Sequence, residues 1–387
     1  MDVALLFTAR TLRLFAYGFV AVVLVLYLSS IGLDDHRIGL LLSLTLAGDV
    51  IVSLFLTTRA DAFGRKRTLI AGALLMLGAA IAFIVTRDFT LLVVAATLGV
   101  ISPSGHEVGP FLAVEQVALA QAAEGRDRTA LFAWYNLAGS FATALGSLAG
   151  GWLSAAAGYR APIVGYAAFG LALAVVFARL SPAIEGERTV SRTLFRVEKS
   201  RGIVARLSAL FALDSFAGGL VVQSIMAYWF YRRFGLSPAT LGTIFFGANV
   251  FAGVSALGAA WIARRIGLLN TMVFTHLPSN VLLILVPFMP NLTLAIAVLL
   301  LRFSISQMDV PTRQAFVIAA VDPAERTAAA GITGVARTTG AALAPVLAMP
   351  LIASLGHGWV PFVAAGALKI VYDLALLRSC RRVALTR

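Results

Sequence analysis

The chain has 387 residues, of which 60% are hydrophobic and 13% are charged, with a formal net charge of +13 and a single cysteine. Soluble domains average about 45–50% apolar and about 25% charged residues, so this composition excludes an ordinary soluble enzyme. It also excludes intrinsic disorder, which requires low hydrophobicity. The lone Cys380 excludes a disulfide scaffold. An integral membrane protein with many spans remains.

Twelve windows contain the run of about 20 mainly apolar residues that a membrane-spanning helix needs. In chain order, spans one to twelve are predicted at Arg10–Ser30, Ile38–Thr58, Thr68–Thr86, Leu91–Gln121, Ala130–Ala156, Ala161–Leu180, Leu207–Phe230, Pro238–Ala263, Thr271–Met289, Leu292–Ala320, Ala330–Leu355 and Trp359–Arg378. The nine residues before span one contain no small-residue cleavage site, so we interpret span one as a helix and not a signal peptide. We therefore expect an all-α integral membrane fold.

The distribution of basic residues predicts the orientation of these spans. With the N-terminus inside, the inner segments hold 22 of the 31 lysines and arginines, the outer loops hold five and the spans hold four. Arg10 and Arg13 are counted here with the inner N-terminal segment. Because cytoplasmic loops are enriched in Lys and Arg, we expect both termini to be cytoplasmic. The same distribution argues against a nucleic-acid partner.

The longest polar segment, residues 181–206, divides the spans into two groups of six. We predict an N-terminal half at 1–180, a cytoplasmic linker at 181–206 and a C-terminal half at 207–387. Within the linker, Leu194, Val197, Ile203 and Val204 are compatible with an amphipathic helix on the inner membrane surface or with a solvated connection. The sequence leaves both alternatives open.

The two halves repeat each other weakly. Gly32-Leu33 matches Gly235-Leu236 at a shift of 203 residues, and Arg128-Thr129-Ala130 matches Arg326-Thr327-Ala328 at a shift of 198. Such matches recur in order along helices of corresponding spacing. Two parallel six-helix repeats are typical of secondary transporters, whose substrate site lies near the bilayer midplane between the repeats.

The loop after span two carries the most specific motif. From Thr57 to Arg67 it reads T-T-R-A-D-A-F-G-R-K-R. This resembles the signature loop of the major facilitator superfamily, G-x-L-A-D-R-F-G-R-K-R, although Thr57 replaces the glycine and Ala62 replaces a basic residue. The resemblance implies the superfamily's pseudo-symmetric twelve-helix fold. It also implies that Asp61, Gly64, Arg65 and Arg67 latch the halves together on the cytoplasmic side, whereas a purely topogenic role of the arginines is the alternative.

Span five contains four glycines that bear on the branch of the superfamily. Gly139, Gly146, Gly150 and Gly151 are similar to the glycine-rich fifth helix of drug–proton antiporters, although Ala149 stands where a proline is expected. This likeness favours export. Close packing of helices through small residues is the structural alternative.

Ionisable groups inside the spans are the candidates for proton coupling, because each costs about 2.5–3.5 kcal/mol at the bilayer centre. They are Asp49, His106, Glu107 and Asp309. Asp49 has no basic neighbour on its own helix, so it suits a proton carrier or a hydrogen bond to another helix. His106 and Glu107 lie in span four among two prolines and two glycines, which predict a bent or broken helix.

Corresponding positions in the halves carry opposite charges. Arg13 matches Asp214 at a shift of 201, and Glu115 matches Arg313 at a shift of 198. We predict that one or both pairs form salt bridges between the halves when the cytoplasmic side closes, with an Asp309–Arg313 pair along one helix as the alternative. Lys369 and Asp373 are also spaced for an intrahelical pair, and we expect His276 and Asn280 to be structural.

Polar and aromatic residues on helices that, by the resemblance to the superfamily, are expected to line the substrate cavity are candidates for substrate contact. They are Tyr17, Trp134, Asn136, Gln223, Tyr228, Arg302, Gln307 and Arg337. Arg302 is expected to pair with Glu107 or to meet an anionic substrate.

These features together predict a secondary active transporter that moves a small organic solute by alternating access, with proton-coupled export favoured over uptake. A non-transporting sensor on the same scaffold is a further alternative. None of the four histidines begins an H-x₄-D motif, and no metal cluster, phosphate-binding loop or cofactor motif is present in the sequence, so we expect no enzyme and no cofactor. The expected partners are the solute, protons and the lipid bilayer. The arginine-rich, lysine-poor composition with abundant alanine is typical of a GC-rich bacterial genome, so we expect a bacterial inner membrane. We also expect a monomer.

Overall fold

The computed structural model describes residues 1–122, 128–185, 197–354 and 356–381. In these ranges the regular structure is helical. The helices are α1 (Asp2–Ala21), α2 (Leu24–Ser30), α3 (Asp35–Phe63), α4 (Arg65–Val85), α5 (Phe89–Leu98), α6 (Phe111–Ala122), α7 (Arg128–Ala157), α8 (Arg160–Ala178), α9 (Arg201–Gly219), α10 (Gln223–Phe234), α11 (Pro238–Ile266), α12 (Leu268–Leu285), α13 (Leu292–Ser306), α14 (Asp309–Ala320), α15 (Arg326–Ala342), α16 (Pro345–Ala353) and α17 (Val360–Cys380).

Ten helical stretches of the described residues are long and apolar enough to cross a membrane. The other two predicted spans differ from these for identifiable reasons. Span four is divided into the shorter apolar helices α5 and α6. Span five is the single 30-residue helix α7, whose sequence is rich in glycine, alanine and polar residues. The described fold is therefore an all-α membrane architecture.

The predicted start of span one was wrong, and the error changes how two arginines are understood. Helix α1 begins at Asp2, so Arg10 and Arg13 lie well inside a helix and are buried, with exposed fractions of 6% and 0%. Two of the 22 basic residues assigned to inner segments thus belong to a span interior. The prediction began this span at its first arginine, although the residues before Arg10 are also mainly apolar.

The predicted interruption of span four is confirmed. Twelve non-helical residues separate α5 from α6. Proline has no N–H group to donate to a helix, and Pro103 and Pro110 both fall in this segment. Gly105 and Gly109 have φ angles of +74° and +81°, a conformation that favours glycine.

Shorter interruptions occur at corresponding places of the sequence repeat. Span one breaks between α1 and α2, span seven between α9 and α10, and span ten between α13 and α14. The first and fourth spans of each predicted half are therefore all discontinuous. Discontinuous helices expose backbone groups that only a cavity or neighbouring protein can satisfy within a membrane.

The described chain divides into two compact units. The first unit comprises Met1–Val190 and Val222–Phe246, and the second comprises Ser191–Val221 and Gly247–Arg387. In the first unit α1 packs against α7 and α8, and α4 packs against α8. In the second unit α9 packs against α15 and α17, and α12 packs against α13, α14 and α17. The predicted halves at 1–180 and 207–387 stay a prediction.

Close contact between α1 and α7 depends on glycine. A Cβ atom added at Gly146 would lie 2.0 Å from the backbone oxygen of Phe15, and one added at Gly150 would lie 2.0 Å from that of Phe19. Backbone atoms cannot move aside as a flexible side chain can. The glycines of span five therefore have a packing role within the first unit.

We expect Gly146→Ala to lower the free energy of unfolding by about 1–3 kcal/mol, since the added methyl group forces α1 and α7 apart. Equilibrium unfolding in mixed micelles measures this change. Gly78→Ala is the matched control, because Gly78 lies in α4 with no atom within 4 Å of an added Cβ. The control should equal or exceed the wild type in stability. Equal stability of both variants would contradict the packing role of Gly146.

Candidate functional site

The first unit contains a buried cluster of four charged side chains, which we call the N-cluster: Arg10, Arg13, Glu107 and Glu115. Arg10 Nη1 lies 2.8 Å from Glu107 Oε2, and Arg13 Nε lies 2.8 Å from Glu107 Oε1. Both terminal nitrogens of Arg13 donate to the carboxylate of Glu115, which also accepts from the Tyr135 hydroxyl. Two cations and two anions therefore neutralise each other in this cluster.

Neighbouring groups of α6 and α7 complete the N-cluster. Arg10 Nε donates to the Tyr135 carbonyl oxygen at 3.0 Å, and its Nη2 donates to Asn136 Oδ1 at 3.2 Å. The Arg13 guanidinium lies 4.6 Å from the centre of the Phe111 ring. These contacts hold both arginines in place. Glu107 is thus a carboxylate paired with two arginines, and its role in proton coupling stays a prediction.

Asp49 on α3 has a different environment. Its Oδ1 accepts hydrogen bonds from the Gly109 N–H at 2.6 Å and from Ser53 Oγ at 3.0 Å. Both donors are neutral, and the described residues place no cation in an ion pair with Asp49. The hydrogen bond from Gly109 joins α3 to the broken segment of span four. Both interpretations drawn from the sequence, a proton carrier and an interhelical hydrogen bond, are compatible with this geometry.

His106 lies beside Glu107 in sequence but does not join the N-cluster. Its side chain is exposed, and its backbone groups bond within the broken segment to Ser102 and Ser104. The adjacent His-Glu dipeptide therefore does not form one titrating pair, because consecutive residues of a non-helical segment point in different directions.

The second unit contains a corresponding C-cluster, centred on Asp214 of α9. Asp214 Oδ2 accepts from Arg313 Nη1 at 2.9 Å, and Asp214 Oδ1 accepts from Lys369 Nζ at 2.6 Å. Arg313 Nη2 also lies 2.9 Å from Asp309 Oδ2, one helical turn away on α14. The intrahelical alternative for Asp309 and Arg313 is therefore present in the structure.

The predicted Lys369–Asp373 pair is not formed. Lys369 binds Asp214 instead, while Asp373 lies 2.9 Å from His276 Nδ1 and accepts from Asn280 Nδ2 at 2.9 Å. Lys369 and Asp373 lie on one face of α17, but α9 and α12 each offer a closer partner. His276 and Asn280 thus help to bury Asp373 within the C-cluster.

The two clusters correspond through the sequence repeat with their charges reversed. The first unit pairs an arginine of span one with a glutamate of span four, Arg13 with Glu115. The second pairs an aspartate of span seven with an arginine of span ten, Asp214 with Arg313. Each of these four residues has its partner within its own unit. Salt bridges between the halves, at Arg13–Asp214 or Glu115–Arg313, stay a prediction.

Two arginines of the second unit have no such partner among the described residues. Arg302 of α13 and Arg337 of α15 form no ion pair there, and the Nε atom of each is buried without a hydrogen-bond partner. Arg337 lies within electrostatic range of the cation Arg313 first, and also of Asp214 and Asp309, without an ion pair to either acid. Gln307, between α13 and α14, donates its backbone N–H to Ser255 Oγ at 3.4 Å.

The other substrate candidates are placed less uniformly. Tyr17 is fully buried and donates to the Val108 carbonyl oxygen at 3.2 Å, so it packs against the broken segment. Gln223 donates to Ser147 Oγ at 3.2 Å, and Tyr228 donates to Asp35 Oδ1 at 3.0 Å. Trp134, in contrast, is 65% exposed. Hydrogen bonding inside the first unit thus uses the polar groups of three of these four residues.

The signature loop is anchored by a residue that the sequence did not single out. Gly64, at φ +105°, ends α3 and precedes α4. Glu185 then accepts from the N–H groups of Arg65 and Lys66 at 2.6 and 3.1 Å, which satisfies the first turn of α4. The Arg65 guanidinium donates to Gln121 Oε1 at 2.7 Å. Arg67 is exposed, and the side chain of Asp61 lies outside the described residues.

A second glutamate anchors the segment before α9. Glu325 accepts from three consecutive backbone N–H groups, those of Glu198, Lys199 and Ser200, at 2.6–2.8 Å. These hydrogen bonds, first that from Glu198, lower the pKa of Glu325 to about 2. Val197 and Ile203 pack against the apolar core of the second unit. Leu194 of the predicted amphipathic segment lies outside the described residues.

A family model for the Major Facilitator Superfamily matches residues 6–345. The chain belongs to the Major Facilitator Superfamily. It is therefore a secondary transporter and not an enzyme, and a multi-pass membrane protein. Small solutes crossing a bilayer are the substrates of this superfamily.

Two kinds of relative refine this assignment. The chain is 30% identical to an uncharacterised membrane protein of Saccharomyces cerevisiae, YJR124C, over 97% of this chain and 93% of that one. The nucleoside transporter NupG has 14% identity and a TM-score of 0.76 over 98% of this chain and 99% of that one. A D-xylose–proton symporter has 14% identity and a TM-score of 0.75 over 99% and 98%. The 14% identities to these two transporters of known structure show the fold alone. The yeast relative gives no support to a bacterial source.

We expect hydrogen-exchange protection of the Glu198–Ser200 amides to depend on pH through Glu325. Because the folded pKa lies below the ordinary value of 4.5, the carboxylate stabilises this contact above about pH 4.5, and the stabilisation is lost as pH falls towards about 2. Protection factors corrected for intrinsic exchange should therefore fall across this window.

Glu325→Gln should have lower protection at pH 7 and no such fall. Asp322→Asn is the control, because the ion pair of Asp322 is with Lys199, whose side chain is 78% exposed, and such exposed pairs contribute little. This substitution should leave the pH profile unchanged. An unchanged profile in Glu325→Gln would contradict the role given to this carboxylate.

Proposed function

We propose that this transporter couples the movement of protons to the export of a small organic solute, with Asp49 as the proton-binding residue. The observation that carries the proposal is the difference between the partners of Asp49 and those of Glu107. Asp49 accepts hydrogen bonds from neutral donors alone among the described residues, whereas Glu107 contacts two arginines. A carboxylate that must bind and release a proton needs a neutral form that its surroundings tolerate.

Charge balance within the first unit supports the same choice. In the N-cluster, two arginines balance two glutamates, so Asp49 adds one uncompensated negative charge to the spans of this unit. Protonation removes that charge. It also converts a carboxylate that accepts the Gly109 N–H into a carboxylic acid, and Gly109 belongs to the broken segment that bears Glu107. A proton on Asp49 can thereby alter the position of span four.

The direction of transport is proposed from the resemblance of the span-five glycines to those of drug–proton antiporters. The same resemblance suggests that branch of the superfamily. The distribution of basic residues favours cytoplasmic termini, and we further propose a monomer in an inner membrane. Proton-coupled uptake is the alternative, and it makes the opposite prediction in a single experiment.

The experiment uses proteoliposomes that contain the same defined mixture of small metabolites inside and outside. Acidifying the medium drives protons inward, and mass spectrometry then follows each solute in the lumen. Export by exchange predicts that at least one solute leaves the lumen against its own gradient, whichever way the protein is inserted. A protonophore should abolish this movement.

Asp49→Asn should abolish the gradient-driven movement of that solute while leaving its downhill movement measurable, since an amide keeps the hydrogen bonds but cannot carry a proton. Asp34→Asn is the matched control on the same helix, because Asp34 is an exposed cap of α3 and asparagine caps equally well. Accumulation in the lumen would indicate uptake, and full coupling in Asp49→Asn would exclude Asp49.

A further inference from the structure

We propose that the transported solute carries a single negative charge, and that Arg302 is the side chain that binds it. This inference rests on the proposed transport function and names the class of solute: an organic monoanion such as a carboxylate. The ion pairs of the second unit leave one buried charge unbalanced.

The interior of the described second-unit spans contains three acidic and four basic side chains. They are Asp214, Asp309, Asp373, Arg302, Arg313, Arg337 and Lys369. Among these seven side chains, one positive charge is in excess. Arg313 and Lys369 contact carboxylates directly, and Arg337 is within electrostatic range of Asp214 and Asp309.

Arg302 is therefore the cation that none of these three carboxylates neutralises. Within residues 1–122, 128–185, 197–354 and 356–381, no carboxylate forms an ion pair with Arg302 and no group accepts a hydrogen bond from it. The Arg302 guanidinium lies 4.9 Å from the centre of the Phe303 ring, a cation–π contact. A cation–π contact offsets only part of the cost of removing a cation from water.

The depth of Arg302 makes this cost relevant. Arg302 lies ten residues after Leu292, the first residue of α13, which corresponds to about 15 Å along a helix. The hydrocarbon core is about 30 Å thick, so this residue lies near its middle. From that depth a side chain does not easily reach the headgroups.

The face of α13 that bears Arg302 is not its outermost one. Leu299 and Ser306, one turn before and after Arg302, are buried, whereas Leu294 and Leu301 are exposed by 44% and 56%. The side chain is itself partly buried. A guanidinium at this position binds a planar anion through two parallel hydrogen bonds, which is the geometry of a carboxylate.

The test measures binding and requires no proton gradient, so it is independent of the Asp49 experiment. Purified protein in detergent is titrated with three pairs of probes, each a carboxylate and its neutral amide: benzoate with benzamide, lactate with lactamide, and acetate with acetamide. Inorganic phosphate is a further probe. The shift of the thermal unfolding midpoint reports binding.

We expect at least one carboxylate to stabilise the wild type while its amide does not. Arg302→Gln should weaken that binding by about tenfold to a hundredfold, the effect of losing hydrogen bonds to a charged group. Arg302→Lys should retain a preference for the carboxylate with lower affinity, which separates loss of charge from loss of fold. Arg337→Gln should keep the preference, since Arg337 belongs electrostatically to the C-cluster.

Several results would overturn the inference. One is equal stabilisation by an amide and its carboxylate, and another is no stabilisation of the wild type by any carboxylate. Undiminished binding in Arg302→Gln would exclude Arg302 as the binding residue. Thermal stabilisation by phosphate but by no carboxylate would contradict a binding site for a singly charged anion. If Asp49→Asn abolishes proton coupling but any one of these binding results is obtained, the proposal of proton-coupled transport stands and the proposal of an anionic solute fails.

Discussion

The constraint on which this structure depends is the high free-energy cost of a charge inside the membrane, which a neighbouring opposite charge lowers. Each unit meets it with a salt bridge between its first and fourth spans, Arg13 with Glu115 in one and Asp214 with Arg313 in the other. Both bridges are buried, so neither partner has water as an alternative. Removing one partner of such a pair leaves an uncompensated buried charge and costs about 3–5 kcal/mol.

The acidic and basic partners of the two salt bridges exchange places between the units, which indicates that the bridges meet a structural requirement and not a chemical one. A repeat that needed a particular acid for its chemistry would keep that acid in both halves. Here the position is kept and the charge is exchanged, which indicates that what both units need is neutral, rigid contact between two interrupted helices. The proposed proton-binding and anion-binding residues, Asp49 in the first unit and Arg302 in the second, both lie outside the bridges.

The sequence was sufficient for the features that depend on hydropathy and local chain geometry. The apolar windows correspond to the helices, and Pro103, Gly105 and Pro110 predicted the interruption of span four. The partners of buried charges were harder to predict, because they depend on which helix faces meet. Lys369 was assigned to Asp373 by helical spacing, yet Asp214 of α9 lies nearer.

The roles of some other residues were not predicted, because hydropathy does not reveal them. Arg10 and Arg13 were counted with the inner N-terminal segment, although they share one helical face and so predict paired acids. Glu185 and Glu325 lie in polar segments whose hydropathy does not distinguish one residue from another. Glu185 accepts from the first N–H groups of α4 and Glu325 from N–H groups just before α9, and both roles become visible only when the chain is folded.

Double-mutant cycles on Arg13–Glu115 and Asp214–Arg313 measure the central claim most directly. Each residue is replaced by its neutral amide, or by glutamine for arginine, and the free energy of unfolding is measured in mixed micelles for both single variants and the double variant. Neutralisation within each unit predicts a coupling energy of about 1–3 kcal/mol for both pairs. Additivity to within about 0.5 kcal/mol in either cycle would contradict it.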